Sequence, residues 1–272
     1  MKKVILVTGA SSGLGKATAQ QLISEGHTVY GAARRVEKMK DLEASGGKAI
    51  KLDVLDPENI KQVVSTIIAE QGKIDVLVNN AGYAVYGAVE DVSLEDARRQ
   101  FEVNIFGLAA ITKEVLPHMR EQKSGTIINI SSMGGKMYTP LGSWYHASKH
   151  ALEGWSDCLR LELMDKGIDV VIIEPGIIAT EFADVMSGPM MESAKGGPYE
   201  EMAKILSKAT EENYQPGNAS SSDVVAKAIS KAVKAKKPKT RYRIGKLAKP
   251  MVWIRTYLGD RVFDKAVMSQ VK

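Results

Sequence analysis

Short runs of aliphatic and β-branched residues alternate along the chain with longer stretches of helical periodicity. KVILVT, residues 3–8, reads as a buried strand, and residues 13–25 read as a helix ending at Gly26. HTVYGAA is a second strand, residues 36–45 form a helix closed by Gly46 and Gly47, and KAIKLDV is a third strand. Pro57 opens the next helix at its first turn, where proline costs little, and that helix runs to Gly72. IDVLVNNAG is a fourth strand, TIINIS a fifth after two further helices, and DVVIIEPG, residues 169–176, a sixth. Strands and helices alternating at this spacing predict a parallel sheet covered on both faces.

After Pro175 the pattern changes. Residues 177–222 hold Gly188, Pro189, Gly196, Gly197, Pro198, Pro216 and a serine run. They are expected to form a long insertion with little regular structure, apart from a short helix over residues 199–213. Such insertions in compact domains are more often functional than idle, so a lid or substrate loop is the natural expectation. Asp223 is expected to cap a helix reaching Lys234, and TRYRIG to add an edge strand.

Composition changes this picture little. The 272 residues are 44% hydrophobic and 25% charged, ordinary values for a soluble α/β domain, with no internal repeat or interdomain linker. The opening MKKVILVTGAS has an apolar run too short for a signal peptide, and no stretch approaches the length of a membrane span, so a cytoplasmic protein is expected. A single cysteine, Cys158, excludes an intramolecular disulfide and is expected to pack within a helix. The net charge of +5 is concentrated in residues 231–249, where lysines and arginines crowd together. That run reads as a solvated face, with an anionic surface as the alternative. It lacks the aromatic interleaving of a nucleic-acid groove. Histidines and carboxylates show no metal-ligand spacing, so no metal is expected.

Candidate chemistry lies in two places. The first is Thr8-Gly9-Ala10-Ser11-Ser12-Gly13-Leu14-Gly15, between the first strand and the first helix. Glycines there let the backbone approach a pyrophosphate seated at the positive helix end. The second strand then ends in Arg34 and Arg35, with no carboxylate before Glu37. Two guanidiniums at the position that reads the adenine ribose favour NADP(H) over NAD(H), because arginine grips phosphate in a bidentate way.

The second place is residues 127–162, a strand, a glycine-containing turn and a long helix. Ser132 ends the strand, while Tyr145 and Lys149 stand four apart on one helix face. A phenol is a poor base at neutral pH, and a nearby ammonium favours its phenolate. The pair therefore makes a general acid for ketone reduction or a base for alcohol oxidation, and a serine hydroxyl can hold the same oxygen. Tyr242 and Lys246 repeat the spacing without a serine-ended strand before them and are read as surface residues. His146 and His150, which flank the pair, are read as structural or solvent-facing.

TGASSGLG, NNAG at residues 79–82, Asn104 in FEVNIFG, NISS, YHASK and PG-x-x-x-T together resemble the short-chain dehydrogenase/reductase family, over roughly residues 3–245. The resemblance implies a Rossmann-like doubly wound sheet of about seven strands, with a catalytic domain over residues 1–245 and a helical extension, residues 246–272, of the same domain. It implies Tyr145 as proton donor or acceptor and Ser132, thirteen residues earlier, as the group orienting the substrate oxygen. Lys149 would bind the nicotinamide ribose, and Asn104 would position a water linking Lys149 to solvent. Gly9, Ser11, Ser12, Gly13, Leu14 and Gly15 would hold the pyrophosphate. Asp53 and Val54 would lie beside the adenine, and Asn80, Ala81 and Gly82 along the adenosine ribose. Pro175, Gly176, Ile178 and Thr180 would face the nicotinamide carboxamide. Arg34 matches the family's arginine position for NADP, with Arg35 as helper. Ser12 replaces the basic residue that some NADP-using members carry in the glycine loop. For Asn79 a structural role is expected.

Substrate choice is expected in residues 84–88, 133–142 and 177–215, at the carboxyl ends of the strands. Their surroundings hold Tyr83, Val85, Tyr86, Met133, Met137, Tyr138, Leu141, Trp144, Phe182, Val185, Met186, Met190 and Met191, a lining for an apolar carbonyl or alcohol. The ARR sequence and the C-terminal extension resemble the hydroxysteroid dehydrogenase and carbonyl reductase branch. The tail mixes Trp253, Ile254, Tyr257, Leu258, Val262 and Phe263 with basic residues. Packing over the pocket or at a subunit interface is the main expectation for it, and peripheral contact with an anionic membrane the alternative. The resemblance further implies a homodimer or homotetramer formed through helices near residues 93–122 and 145–165. A non-catalytic NADP(H) sensor, or an epimerase or dehydratase on the same fold, are the competing readings.

Overall fold

A computed structural model describes residues 1–215 and 217–271. Seven parallel strands form one sheet in the order β3-β2-β1-β4-β5-β6-β7. They are β1 (Val4–Thr8), β2 (Thr28–Ala33), β3 (Lys48–Lys51), β4 (Val76–Asn79), β5 (Gly125–Ile130), β6 (Ile168–Pro175) and β7 (Arg241–Ile244). Successive side chains of a strand point to opposite faces, so both faces of these apolar strands need cover. Ile5, Val7, Val78, Ile128 and Val171 pack on one face with Leu22 of α1 (Gly13–Ser24). Leu6, Leu77, Ile127 and Val170 pack on the other with Val64 and Ile67 of α3 (Pro57–Gln71).

Between β2 and β3 the expected helix is a 3-10 turn, Val36–Met39, followed by α2 (Lys40–Ala44). The caps of α3 show how the sequence fixes its bounds. Asp56 accepts hydrogen bonds from the amides of Glu58 and Asn59 at 3.1 Å, Pro57 occupies the first turn, and Gly72, at φ 73°, ends the helix. Before β5, α4 (Leu94–Phe101) and α5 (Leu108–Gln122) are joined by a π-helical turn, Glu102–Gly107, so the two expected helices form one continuous rod.

The expected loop after β6 is largely helical. α7 (Phe182–Ala194), α8 (Glu200–Tyr214) and α9 (Ser222–Lys234) follow α6 (Ser143–Glu162) and β6, and Pro189 sits inside α7 without ending it. The break between α7 and α8 falls where Gly196 takes φ 72°. Ser221, rather than Asp223, holds the N-cap position of α9, and Asp223 lies in the first turn, where its charge complements the helix dipole. α10 (Ala248–Tyr257) and α11 (Asp260–Met268) form the C-terminal extension.

Two further expectations are corrected. Tyr242 is not a surface residue: it lies on β7 opposite Ile173, is buried in the core, and accepts a hydrogen bond from the amide of Lys239. Cys158 is exposed on α6 rather than packed.

An ionic cluster fastens the edge strand β7. Glu174 of β6 is fully buried, with Arg243 Nε at 2.6 Å and Arg241 Nε at 3.2 Å. Arg241 also donates to Glu153 of α6 at 3.1 Å and to Asp157 at 2.6 Å, and Lys136 lies 3.1 Å from Glu153. Removing one member of a buried charge cluster leaves its partners uncompensated. Glu174→Ala is therefore expected to lower the unfolding free energy by roughly 3 kcal/mol in a denaturant titration. A loss below about 1 kcal/mol would show that the cluster does not hold the edge.

Candidate active site

All seven strands point the same way, and the strand order reverses between β1 and β4, so a crevice opens at their carboxyl ends. A cavity of about 790 Å³ occupies it. Of the site residues expected from sequence, Gly9, Ser11, Ser12, Gly13, Leu14, Arg34, Arg35, Asp53, Val54, Asn80, Ala81, Gly82, Ser132, Tyr145, Lys149, Pro175, Gly176, Ile178 and Thr180 all line this cavity. Gly15 and Asn104 do not, and each packs behind its wall.

The glycine loop is held from below by β4. Thr8 Oγ1 accepts from the amides of Asn80 at 3.0 Å and Ala81 at 2.9 Å, and Asn80 Nδ2 donates to the carbonyls of Thr8 at 2.9 Å and Gly9 at 3.3 Å. Gly9 adopts φ 68°, and a Cβ there would stand 2.9 Å from Ala81 Cα. A Cβ on Gly15 would collide with the Gly9 carbonyl, so Gly15 is a packing requirement of the loop. No side chain caps α1, and no acid sits in its first turn, which leaves amide donors and a positive dipole end facing the cavity. Arg34 and Arg35 are exposed at the end of β2 and pair with no carboxylate among the described residues. An uncapped helix end, a loop with glycine at positions 9, 13 and 15, and two guanidiniums with no carboxylate partner among the described residues fit a phosphate-bearing dinucleotide.

At the other end, β5 and α6 bring three groups together. Ser132 is extended, and its Oγ accepts from the amide of Gly134 at 3.0 Å, which leaves the hydroxyl proton free to donate. Tyr145 and Lys149 occupy successive turns of α6, and both are buried. Lys149 Nζ donates to the Ile130 carbonyl at 2.9 Å. The Tyr145 ring lies 5.5 Å from that of Tyr86 and 5.6 Å from Phe182.

Burial governs the titration of this group. It pushes the Tyr145 phenol up to about 12, with the hydrogen bond to Ser132 a smaller opposing effect. Burial, rather than the neighbouring Lys149 ammonium expected to lower it, is the largest influence on this phenol. Burial also pushes Lys149 down to about 8, partly offset by the charge of Glu153. His146 is driven down to about 4 by burial and is neutral. Its Nε2 accepts from the Thr139 amide at 3.0 Å, so Nδ1 carries the proton and donates to the Gly134 carbonyl at 3.0 Å. His146 therefore pins the loop behind Ser132 to α6.

Asn104 lies on the π-turn, with its amide engaged. Oδ1 accepts from the Tyr83 amide at 3.1 Å, and Nδ2 donates to the Tyr83 carbonyl at 2.9 Å and to Ser148 Oγ at 3.1 Å. It makes no hydrogen bond to Lys149 among the described residues. Asn79 is buried and donates to Thr112 Oγ1 at 3.0 Å and Asn129 Oδ1 at 2.9 Å, tying β4 to α5 and β5.

Tyr83, Tyr86, Met133, Met137, Phe182, Val185, Met186 and Met190 line the cavity as expected, whereas Val85, Tyr138, Leu141, Trp144 and Met191 do not. Tyr138 turns to the C-terminal helices and stacks edge-on against Phe263. Leu206, Ala209, Thr210, Asn213 and Tyr214 of α8, and Gln270 from the tail, complete the wall and were not singled out in the sequence. The signal was present: residues 202, 206, 209 and 213 recur at helical spacing. The tail packs over the pocket, with Val252, Phe263 and Val267 buried against Met137. Among the described residues no cluster of possible metal ligands occurs and no helix is long and apolar enough to cross a membrane.

Comparisons with known proteins agree with this geometry. Residues 3–188 match the family model described as short chain dehydrogenase. The chain is 37% identical over 271 residues to a 3-ketodihydrosphingosine reductase of Bacteroides thetaiotaomicron, covering 97% of this chain and 96% of the relative. It is 37% identical over 278 aligned positions to an NADPH-dependent 3-dehydrocapnine reductase of Ornithobacterium rhinotracheale, covering 98% and 96%. The crystal structure of a short-chain dehydrogenase from Streptomyces avermitilis superposes with a TM-score of 0.80 at 36% identity, covering 93% and 91% of the two chains. The chain belongs to the short-chain dehydrogenase/reductase family and is an NAD(P)-dependent oxidoreductase.

Proposed function

We propose that the chain is an NADP(H)-dependent oxidoreductase that interconverts a ketone or aldehyde and the corresponding alcohol, on an apolar, lipid-like substrate. One observation carries this reading. A single cavity joins a glycine loop, flanked by arginines with no carboxylate partner among the described residues, to a half-buried serine and a buried tyrosine and lysine. Phe182, Met186, Met190 and Leu206 line the same cavity, walls suited to an apolar chain. The two relatives named as reductases of 3-ketodihydrosphingosine and 3-dehydrocapnine support the direction and the class of compound.

The glycine loop and the α1 terminus would hold the pyrophosphate, Arg34 with Arg35 the 2′-phosphate, and Lys149 the nicotinamide ribose. When bound, the nicotinamide supplies or accepts the hydride. The Ser132 hydroxyl donates to the substrate oxygen and fixes its position. Tyr145, protonated throughout the neutral range because burial raises its phenol to about 12, gives its Oη proton to that oxygen as the carbon is reduced. The Lys149 ammonium stabilises the phenolate left behind, and the same groups take the proton back when an alcohol is oxidised. Asn104 acts indirectly, holding the segment at Tyr83 and the helix turn at Ser148.

The test follows NADPH and NADH absorbance against long-chain ketones. Tyr145→Phe is expected to lower kcat/KM roughly a hundred- to ten-thousand-fold, and Arg34→Asp to reverse the preference for NADPH. Unchanged turnover in Tyr145→Phe would overturn the mechanism, and a wild-type preference for NADH the cofactor assignment.

The stability of the ligand-free protein against pH tests the burial of the pair. Folding lowers Lys149 from 10.5 to about 8, so between those values the unfolded chain binds more protons and stability rises with pH. Tyr145, raised from 10.0 to about 12, acts oppositely, and stability falls with pH across that window. Denaturant titrations are expected to show the rise from pH 8 in the wild type and its loss in Lys149→Met.

A further inference from the structure

The inner faces of α10 and α11 are buried, but their outer faces carry apolar groups into solvent. Trp253 is 54% exposed, Tyr257 71%, Leu258 45% and Val262 47%. They follow one another along the outer side of α10, through the turn and into α11, and the rings of Trp253 and Tyr257 lie 5.8 Å apart. Four exposed cations, Lys246, Lys249, Arg261 and Lys265, flank them.

The charges on this extension are sorted. Asp260 pairs with Arg255 at 2.5 Å, and Asp264 accepts from the Tyr138 hydroxyl at 2.8 Å. Both carboxylates are thus engaged within the protein, while none of the four cations has a carboxylate partner among the described residues. The surface offered outward combines an indole, a phenol and two aliphatic side chains with unpaired positive charge. That is the composition of a face which lies in the interfacial layer of an anionic bilayer, where indole and phenol rings sit at headgroup depth and lysines meet lipid phosphates.

The position of this face adds a consequence. The same two helices bury Val252, Phe263 and Val267 against Met137, and Gln270, just beyond α11, lines the cavity. Arg255 also stands over the Tyr138 ring at 5.1 Å, on the loop that follows Ser132. A bilayer touching the outer face would therefore lie against the element that walls the substrate cavity. We propose that the outer face of the C-terminal helices, centred on Trp253 and Tyr257, docks on anionic membrane surfaces and brings the cavity to an apolar substrate dissolved there.

Co-sedimentation of the full chain with vesicles tests this. Equimolar phosphatidylglycerol and phosphatidylcholine is expected to bind the protein, and phosphatidylcholine alone to bind it at least about tenfold more weakly. Trp253→Ser/Tyr257→Ser and, separately, Lys249→Glu/Lys265→Glu are each expected to weaken binding about tenfold or more, and added salt to weaken it in the wild type. Circular dichroism and the unfolding midpoint show that the variants fold. Absence of binding to the anionic vesicles, or equal binding by folded variants, would overturn the proposal. So would a wild-type oligomer that dissociates in Trp253→Ser/Tyr257→Ser, since a second copy of the chain would then cover the face.

Discussion

A buried ammonium organises this site. Lys149 is 9% exposed, and its Nζ donates to the carbonyl of Ile130, the last residue of β5. That bond meets one of the ammonium's three donors and ties α6 to the end of the strand. Ser132 lies two residues beyond Ile130, and Tyr145 one turn before Lys149, so the bond joins the two elements that carry all three groups. Neutral His146 adds a second tie, from α6 to Gly134 and Thr139. The loop after Ser132 is thus held from the helix side by His146 and from the outside by Tyr138 against Phe263 and Asp264.

The other half of the cavity rests on a different economy of groups. Asn80 and Thr8 use their side chains on backbone of the glycine loop and β4, which keeps the loop rigid and leaves its amides to face inward. Charge is supplied by Arg34 and Arg35, whose exposure without acidic partners contrasts with Arg241 and Arg243, both committed to buried carboxylates. The same residue type therefore serves cohesion at β7 and remains available at β2.

Much of this was legible in the sequence because strand patterns and glycine spacings are local. The strands, the glycine loop and the Ser132–Tyr145–Lys149 group are read from runs and intervals that tertiary context does not alter. What was misread depended on context. Gly188, Pro189 and Gly196 look like loop punctuation, yet α7 tolerates Pro189, and only Gly196 marks a true break. Tyr242 looked like a surface residue in a basic segment because its burial comes from packing within the sheet. The titration of Tyr145 depends on context for a related reason: the spacing to Lys149 is visible in sequence, whereas the burial that raises the phenol is created by Tyr86, Phe182 and their surroundings. Asn104 was placed by resemblance, but its engagement with Tyr83 and Ser148 depends on a π-turn that no local pattern announces.

The convergence of the two halves on one substrate oxygen is most directly measured in a crystal structure with NADP⁺ and a long-chain secondary alcohol. The alcohol oxygen should lie within hydrogen-bonding distance, about 3 Å, of both Tyr145 Oη and Ser132 Oγ, with the 2′-phosphate against Arg34. An alcohol oxygen bound away from both hydroxyls, with the phosphate turned from Arg34 and Arg35, would contradict the assignment of this cavity.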